Sequence, residues 1–128
     1  MNSKELRIGN LIKDEHGTLS NIVEITDYDR IAVGNNRVVK DLSNCVPIPL
    51  TEEWLIKFGF KKGYNAYYSY LEIWDSLYII VSKNNTIYIS ESSSISGHQL
   101  QVANFEHIHQ IQNFYFAIAN KELTLHTS

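Results

Sequence analysis

Five histidines are the side chains in this sequence best suited to holding a metal ion or moving a proton, and two of them lie close together. His107 and His109 are separated by one residue, whereas His98, His16 and His126 lie further away. On a helix, a spacing of two points the rings about 200° apart, and two ligands on one face need a spacing of three or four. In an extended segment both rings would face the same way. With one cysteine and no clustered carboxylates beside them, we interpret both as polar residues of a first helical turn and predict no metal or cofactor.

The nucleophiles and paired acids form no catalytic pattern. Cys45 could form a dyad with a distant histidine, but a lone cysteine is more often a small buried apolar residue. The serines at 92–94 lack the Gly-x-Ser-x-Gly elbow of hydrolases. Asp14-Glu15 lies in a predicted turn and Glu52-Glu53 at a predicted helix start, so neither pair indicates acid–base chemistry. We therefore predict that the chain is not an enzyme; a deep pocket lined by one of the paired histidines and a carboxylate would revive that alternative.

The strongest candidate for a binding surface is an aromatic cluster in the middle of the chain. It comprises Tyr64, Tyr67, Tyr68, Tyr70 and Trp74. Three lysines lie just upstream, namely Lys57, Lys61 and Lys62. Aromatic rings interleaved with lysines can stack bases or sugars and hold phosphates, but tyrosine is also favoured in strands, where it fills sheet faces. We favour plain sheet packing most, then a protein interface, and then nucleic-acid or sugar stacking with the lysines as nucleic-acid contacts.

A strongly amphipathic helix is predicted over residues 105–121. One broad apolar stripe contains Ile108, Ile111, Phe114, Tyr115, Ile118 and Ala119. Such a stripe needs a sheet to pack on, and the strand-like segments upstream can supply it. Phe105 and Phe116 fall off the stripe. They are either a patch for a partner or for self-association, or they are buried beneath the N-terminal half.

Composition places the chain among ordinary globular proteins. Its 128 residues suit one domain or two very small modules. The net charge of −3 gives no general attraction to nucleic acid or to anionic lipid. A single cysteine makes no internal disulfide, the start lacks the apolar run of a signal peptide, and no apolar stretch approaches the ~18 residues of a membrane span. We expect a soluble cytoplasmic protein without membrane contacts.

The first half of the chain is rich in short strands. β-Branched or apolar runs occupy residues 6–8, 11–12, 22–25, 30–33 and 37–39. Gly34-Asn-Asn36 separates the last two runs and predicts a hairpin, because these residues tolerate positive φ. Strands this short and this densely spaced are typical of a small barrel. We predict an SH3-like β-barrel module over residues 1–50, ending at the prolines of Val46-Pro-Ile-Pro-Leu50.

The second half predicts an antiparallel sheet backed by two helices. Thr51 is a good helix N-cap and Gly59 a natural stop. Strand-like segments follow at 64–70, 71–74, 77–81, 86–89 and 98–102. A hairpin turn is expected at 83–85 and a polar loop at 91–97. Both faces of the run at 78–81 are apolar, which predicts a central strand. The fold class is therefore α+β, with residues 51–128 as the second module, packed with the first as one unit.

Three segments carry a resemblance to a known family. They are Lys4-Glu-Leu-Arg-Ile-Gly-Asn-Leu-Ile12, Pro47-Ile-Pro-Leu-Thr-Glu-Glu-Trp-Leu-Ile-Lys-Phe-Gly-Phe60 and Ile108-His-Gln-Ile-Gln-Asn-Phe-Tyr-Phe-Ala-Ile118. Together they resemble a family of small uncharacterised bacterial proteins often carried on prophages and other mobile elements. The resemblance implies a single co-inherited unit of mobile-element origin and brings no functional residues. The leading hypothesis is a non-enzymatic protein-interaction or accessory module; the alternative is a nucleic-acid-binding protein that uses aromatic residues on a sheet or barrel face.

Overall fold

The protein has the α+β architecture that its sequence predicts. The computed structural model describes residues 3–26, 29–63, 68–74, 76–92 and 99–125. It contains two antiparallel sheets, of four and five strands, and two α-helices. The chain divides into two compact units, Met1–Pro49 with His107–Phe114 and Leu50–Glu106 with Tyr115–Ser128. In the described ranges, no helix has both the length and the apolar character needed to cross a membrane.

The first unit is built on the four-stranded sheet, in which each strand pairs antiparallel with the next. The strands are β1 (Leu11–Lys13), β2 (Leu19–Ile25), β3 (Arg30–Val33) and β4 (Val38–Asp41), with 3₁₀ turns at Ser3–Glu5 and Leu42–Asn44. The predicted hairpin between β3 and β4 is confirmed, and Gly34 adopts a φ of 72° there. The buried core cluster of this unit is Leu6, Ile12, Ile22, Ile31, Val33, Leu42 and Cys45.

The predicted strand at residues 6–8 is wrong. The amide of Arg7 donates to Oδ1 of Asn10 at 2.7 Å, and the amide of Asn10 donates to the carbonyl of Arg7 at 3.0 Å. Gly9 takes a φ of 101°, which only glycine adopts without strain. The local hydrogen bonds of this asparagine turn replace a strand ladder.

The second unit contains the first α-helix and the five-stranded sheet. Its elements are α1 (Glu52–Lys57), β5 (Lys61–Lys62), β6 (Tyr68–Trp74), β7 (Leu77–Ser82), β8 (Thr86–Ser90) and β9 (Gln99–Asn104). The sheet follows chain order, so β7 is central, as its two apolar faces predict. Sequence reasoning missed β5 because a two-lysine strand carries no hydrophobic period.

Both ends of α1 follow the sequence signals. The hydroxyl of Thr51 accepts a hydrogen bond from the amide of Trp54 at 3.4 Å, which confirms the N-cap. At the other end, Gly59 has a φ of 92° and its amide donates to Ile56. The amide of Phe60 donates to the carbonyl of Leu55, which completes a Schellman motif.

Several predicted segments are only partly described or are shifted. Strand β6 is continuous across Tyr70 and Leu71 instead of divided there. The turn at 83–85 is confirmed, since the amide of Asn85 donates to the carbonyl of Ser82. Residues 64–67 of the predicted strand, and residues 93–98 of the predicted loop and strand, lie outside the described residues.

Helix α2 spans Ile108–Ala119, three residues shorter at its start than predicted. His107 pairs with Pro49 in an isolated bridge, and the amide of Ile108 donates to the carbonyl of Ile48 at 2.9 Å. This extended pairing competes with a further helical turn. Asn120, with a φ of 57°, ends the helix in the left-handed region. The predicted stripe is confirmed in part: Ile108, Ile111, Tyr115 and Ala119 are buried, and Phe114 and Ile118 are half-buried.

Two polar side chains of α2 are hydrogen-bonded to the N-terminal segment. Oε1 of Gln112 accepts from the amide of Leu11 at 2.9 Å, and its Nε2 donates to the carbonyl of Gly9 at 3.3 Å. Oδ1 of Asn113 accepts from Nδ2 of the fully buried Asn10 at 2.8 Å. Sequence reasoning placed the apolar stripe of α2 but missed this buried polar network, because glutamine and asparagine ordinarily signal a solvated helix face.

Candidate functional site

One face of the five-stranded sheet carries four tyrosines. Residues directly opposite each other in a sheet share a face, and so do residues two apart along a strand. Tyr70 lies opposite Ile80, which lies opposite Tyr88. Tyr68 is two residues before Tyr70, and Tyr78 two before Ile80, so all four rings belong to one side. We call Tyr68, Tyr70, Tyr78 and Tyr88 the tyrosine face.

Three rings of the tyrosine face form a continuous array. The ring centroids of Tyr68 and Tyr70 are 6.3 Å apart, and those of Tyr70 and Tyr78 are 6.1 Å apart with an edge-on angle of 71°. These are favourable aromatic pair geometries. All four tyrosines are half-buried, so each keeps part of its ring in solvent. The array is therefore both pre-ordered and accessible.

A pocket of about 380 Å³ lies at one end of this array. Its lining includes Tyr70, Tyr78, Lys61 and Glu72. Lys61 stands opposite Tyr70, and Glu72 opposite Tyr78. Partial burial, together with the neighbouring carboxylate of Glu72 to which its hydroxyl is hydrogen-bonded, raises the pKa of Tyr78.

The structure brings together some of the predicted aromatic residues and separates others. A register shift between Glu72 and Trp74 places Trp74 opposite Leu77, on the other side of the sheet from the tyrosine face. Phe105 and Phe116 are both half-buried. Two predicted members of the cluster, Tyr64 and Tyr67, lie outside the described residues.

Sequence reasoning missed two members of the tyrosine face. Tyr78 and Tyr88 are distant from the predicted cluster in sequence and meet it only through strand pairing. The predicted turn at 83–85 contained a usable signal. A hairpin closed there places residues 78–81 against residues 86–89, and alternation along each strand then puts the tyrosines on one side.

The three candidate nucleic-acid lysines do not form one patch. Nζ of Lys57 lies 4.7 Å from the ring centroid of Trp54, in a cation–π contact. Lys62 pairs with Glu52 at 3.2 Å and is opposite Ser69, away from the tyrosine face. Lys61 alone shares a face with the tyrosines. Lys61 is therefore the lysine that the strand register places beside the tyrosine face.

The paired histidines do not sit together in a helical turn. His107 precedes α2 in an extended bridge, and its ring stacks on that of His109 with centroids 5.6 Å apart and an interplanar angle of 8°. His109 is only 1% exposed, and its Nε2 lies 3.3 Å from Oε1 of Glu5. Within the described ranges, neither ring nitrogen of His109 has a hydrogen-bond partner of regular geometry. Across those same residues, no group of three histidine, cysteine or acidic side chains is arranged to hold a metal ion.

The burial of His109 makes stability depend on pH. Desolvation lowers the pKa of His109 below 6.5 and outweighs the opposing effect of Glu5, while the adjacent His107 lowers it further. The imidazole of His109 therefore binds a proton more readily in the unfolded chain than in the folded chain. We expect the free energy of unfolding to fall as the pH drops from about 6.5 to the folded-state pKa, and to level off below it.

Urea titrations at a series of pH values between about 7.5 and 5 measure this effect. His109→Gln should flatten the pH dependence. If the free energy of unfolding of His109→Gln depends on pH in the same way as that of the wild type, the loss of stability at low pH comes from another titratable group.

Cys45 and the paired acids have structural partners. Burial raises the pKa of the Cys45 thiol, which contacts the carbonyl of Asp41 at 3.5 Å. Oδ1 of Asp14 accepts from the amides of His16 and Thr18, both at 2.9 Å, and hydrogen bonds of this turn lower the pKa of Asp14. Asp14 therefore closes a turn, and Cys45 fills part of the core.

The chain stands apart in all three comparisons with known proteins. No protein-family model matches it, and no curated protein or solved structure matches it.

Proposed function

We propose that the chain is a non-enzymatic interaction module that binds a protein partner through the tyrosine face. One observation carries this proposal: three tyrosine rings contact one another in a tilted and an edge-on pair on a sheet face and remain half-exposed. Tyrosine is enriched at protein interfaces because it offers a large, stiff apolar surface with a hydroxyl at its tip. A pre-ordered array also loses little side-chain entropy on binding.

Charge indicates which kind of partner fits. The chain has a net charge of −3, and the pocket at the end of the array carries one exposed acid, Glu72, and one exposed base, Lys61. A partner of net positive charge is steered to an acidic chain, while like-charged proteins are repelled. We therefore assign the tyrosine face to a basic protein surface that supplies apolar groups for the rings and a cationic side chain for Glu72.

Site-specific photocrosslinking tests this assignment. p-Benzoylphenylalanine replaces Tyr70 in the full chain, which is then irradiated in the source organism. We expect one dominant crosslinked protein of basic composition. The matched control places the same group at Val39, an exposed position in the other unit. The proposal fails if position 70 yields no protein adduct, or if position 39 yields the same adduct.

Nucleic-acid binding is the second candidate, because Lys61 lies opposite Tyr70 on the tyrosine face. A base could stack on the ring while the ammonium group contacts a phosphate. This function predicts a gel-shift complex at ~50 mM salt that weakens steeply as salt rises. Lys61→Gln should weaken the complex, whereas Lys62→Gln, whose side chain points to the opposite face, should not. Failure to shift single- or double-stranded DNA or RNA removes this candidate.

The proposal also covers the barrel form of the first unit, the origin of the chain and its location in the cell. We assign the four-stranded sheet to a half-closed SH3-like barrel. The paired hydrogen bonds between Lys13 and Val46, at 3.1 and 2.8 Å, support this because they bring the chain after β4 back to β1. From the family resemblance we infer an accessory protein of a mobile element. The single buried thiol of Cys45 suits the reducing cytoplasm.

A further inference from the structure

Two tyrosine rings form a corner of the pocket at one end of the tyrosine face. The rings of Tyr70 and Tyr78 meet edge-on at 71°, and both are half-buried. The pocket has a volume of about 380 Å³, which lies within the ~300–1,000 Å³ usual for small-ligand sites. Because the two rings are not parallel, a flat aromatic ligand can stack on only one of them. A puckered, saturated ring can lay C–H groups against both.

Two opposite charges line the same pocket. Lys61 lies opposite Tyr70, and Glu72 follows Tyr70 by two residues on β6, so the two charged residues are diagonal neighbours on one face of the sheet. Diagonal positions in a sheet are about 7–8 Å apart. Both side chains are exposed, and within the described residues they form no ion pair with each other. The pocket therefore offers an ammonium donor and a carboxylate acceptor as separate groups.

The two charges limit which ligands fit the pocket. An anionic ligand would be attracted by Lys61 but repelled by Glu72, and a cationic ligand would meet the reverse. A purely apolar ligand would cover both charged groups without giving either a hydrogen-bonding partner, which costs free energy. A neutral ligand avoids both penalties if its polar groups can donate as well as accept hydrogen bonds. Hydroxyl groups have this property.

We propose that this pocket binds a neutral saccharide, with one sugar ring in the corner between Tyr70 and Tyr78. The C–H groups of the sugar ring pack against the two tyrosine rings. Its hydroxyl groups accept a hydrogen bond from the ammonium of Lys61 and donate one to the carboxylate of Glu72. This inference goes beyond the proposed protein interface and does not rest on it. A bound sugar would cover Tyr70 and so compete with the protein partner at this end of the tyrosine face.

Saturation-transfer difference NMR on the purified full chain tests the proposal. The sugars are maltose, cellobiose, lactose and N,N′-diacetylchitobiose, and the comparison ligands are adenosine, which is flat, and phenylalanine, which is zwitterionic. We expect at least one sugar to bind with a Kd of roughly 0.1–10 mM, as suits a small ligand in an open pocket. Because the sugar is neutral, its Kd should stay unchanged between ~50 and ~500 mM salt. The proposal is overturned if no sugar binds, or if only adenosine or phenylalanine does.

Variants of the lining residues test whether the sugar occupies this pocket. Lys61→Gln and Glu72→Gln should each weaken binding about tenfold, because each removes the charge from one hydrogen bond to the sugar. Lys62→Gln is the matched control and should bind like the wild type, since Lys62 lies opposite Ser69 and away from the tyrosine face. Lys61 and Glu72 are exposed, so their replacement tests the site without disturbing the core.

Unchanged binding in both Lys61→Gln and Glu72→Gln overturns the site. The protein interface is tested separately by the photocrosslink at position 70. A protein adduct there, together with no sugar binding, would contradict the saccharide site alone.

Discussion

Ile111→Asp is expected to unfold the protein. The Ile111 side chain is fully buried on α2. An aspartate at this position would therefore bury an ionised carboxylate without water or a hydrogen-bonding partner. Losing the apolar contacts costs about 2–5 kcal/mol, and an uncompensated buried charge costs about 3–5 kcal/mol more. A domain of this size has only about 5–15 kcal/mol of stability. Far-ultraviolet circular dichroism and a thermal melt measure the effect.

Ala117→Asp is the matched control, because Ala117 is exposed on the same helix. It introduces the same charge into the same element and should melt within a few degrees of the wild type. A soluble, cooperatively melting Ile111→Asp would contradict the helix face that the structure assigns.

Gln112→Leu is expected to destabilise the protein by about 2–4 kcal/mol despite its favourable apolar chemistry. Leucine has a similar volume, but it leaves the Leu11 amide and the Gly9 carbonyl without the partners that Gln112 now supplies. Each buried polar group without a partner costs about 1–3 kcal/mol. Urea denaturation of both proteins measures the difference.

A stabilised Gln112→Leu would show that water already satisfies these backbone groups. The double variant with Asn10→Ala adds a further check, since Asn10 reaches the same helix through Asn113. If the two side chains belong to one network, their destabilisations should be non-additive.

The parts of the fold that could be predicted are those governed by local rules. Thr51 caps α1, Gly59 ends it and the turn at 83–85 closes a hairpin. Each of these depends on a few neighbouring residues. The apolar run at 78–81 similarly identified β7 as a central strand from its own composition.

The parts that could not be predicted depend on contacts across the chain. The tyrosine face exists because β6, β7 and β8 pair in one register, which brings Tyr78 and Tyr88 to Tyr70. The start of α2 was misplaced because Ile48 pairs with Ile108 from far away. Residue type alone gave no sign that His109 would be buried beside Glu5.

Three segments of the first unit, residues 4–12, 47–49 and 108–113, lie far apart in the sequence and are joined by hydrogen bonds. Asn10, from the first segment, bonds to Asn113, from the third, and Ile48, from the second, bonds to Ile108. Their side chains and backbone groups hold this unit together.

Affinity capture from the source organism with three matched baits tests whether the tyrosine face binds a protein partner. The baits are the wild type, Tyr70→Ala and Tyr70→Phe, each first checked for an unchanged fold. We predict that one basic protein is recovered in stoichiometric amount by the wild type and by Tyr70→Phe, which keeps the ring, and is lost with Tyr70→Ala. Equal recovery of the same proteins by all three baits would contradict binding at the tyrosine face.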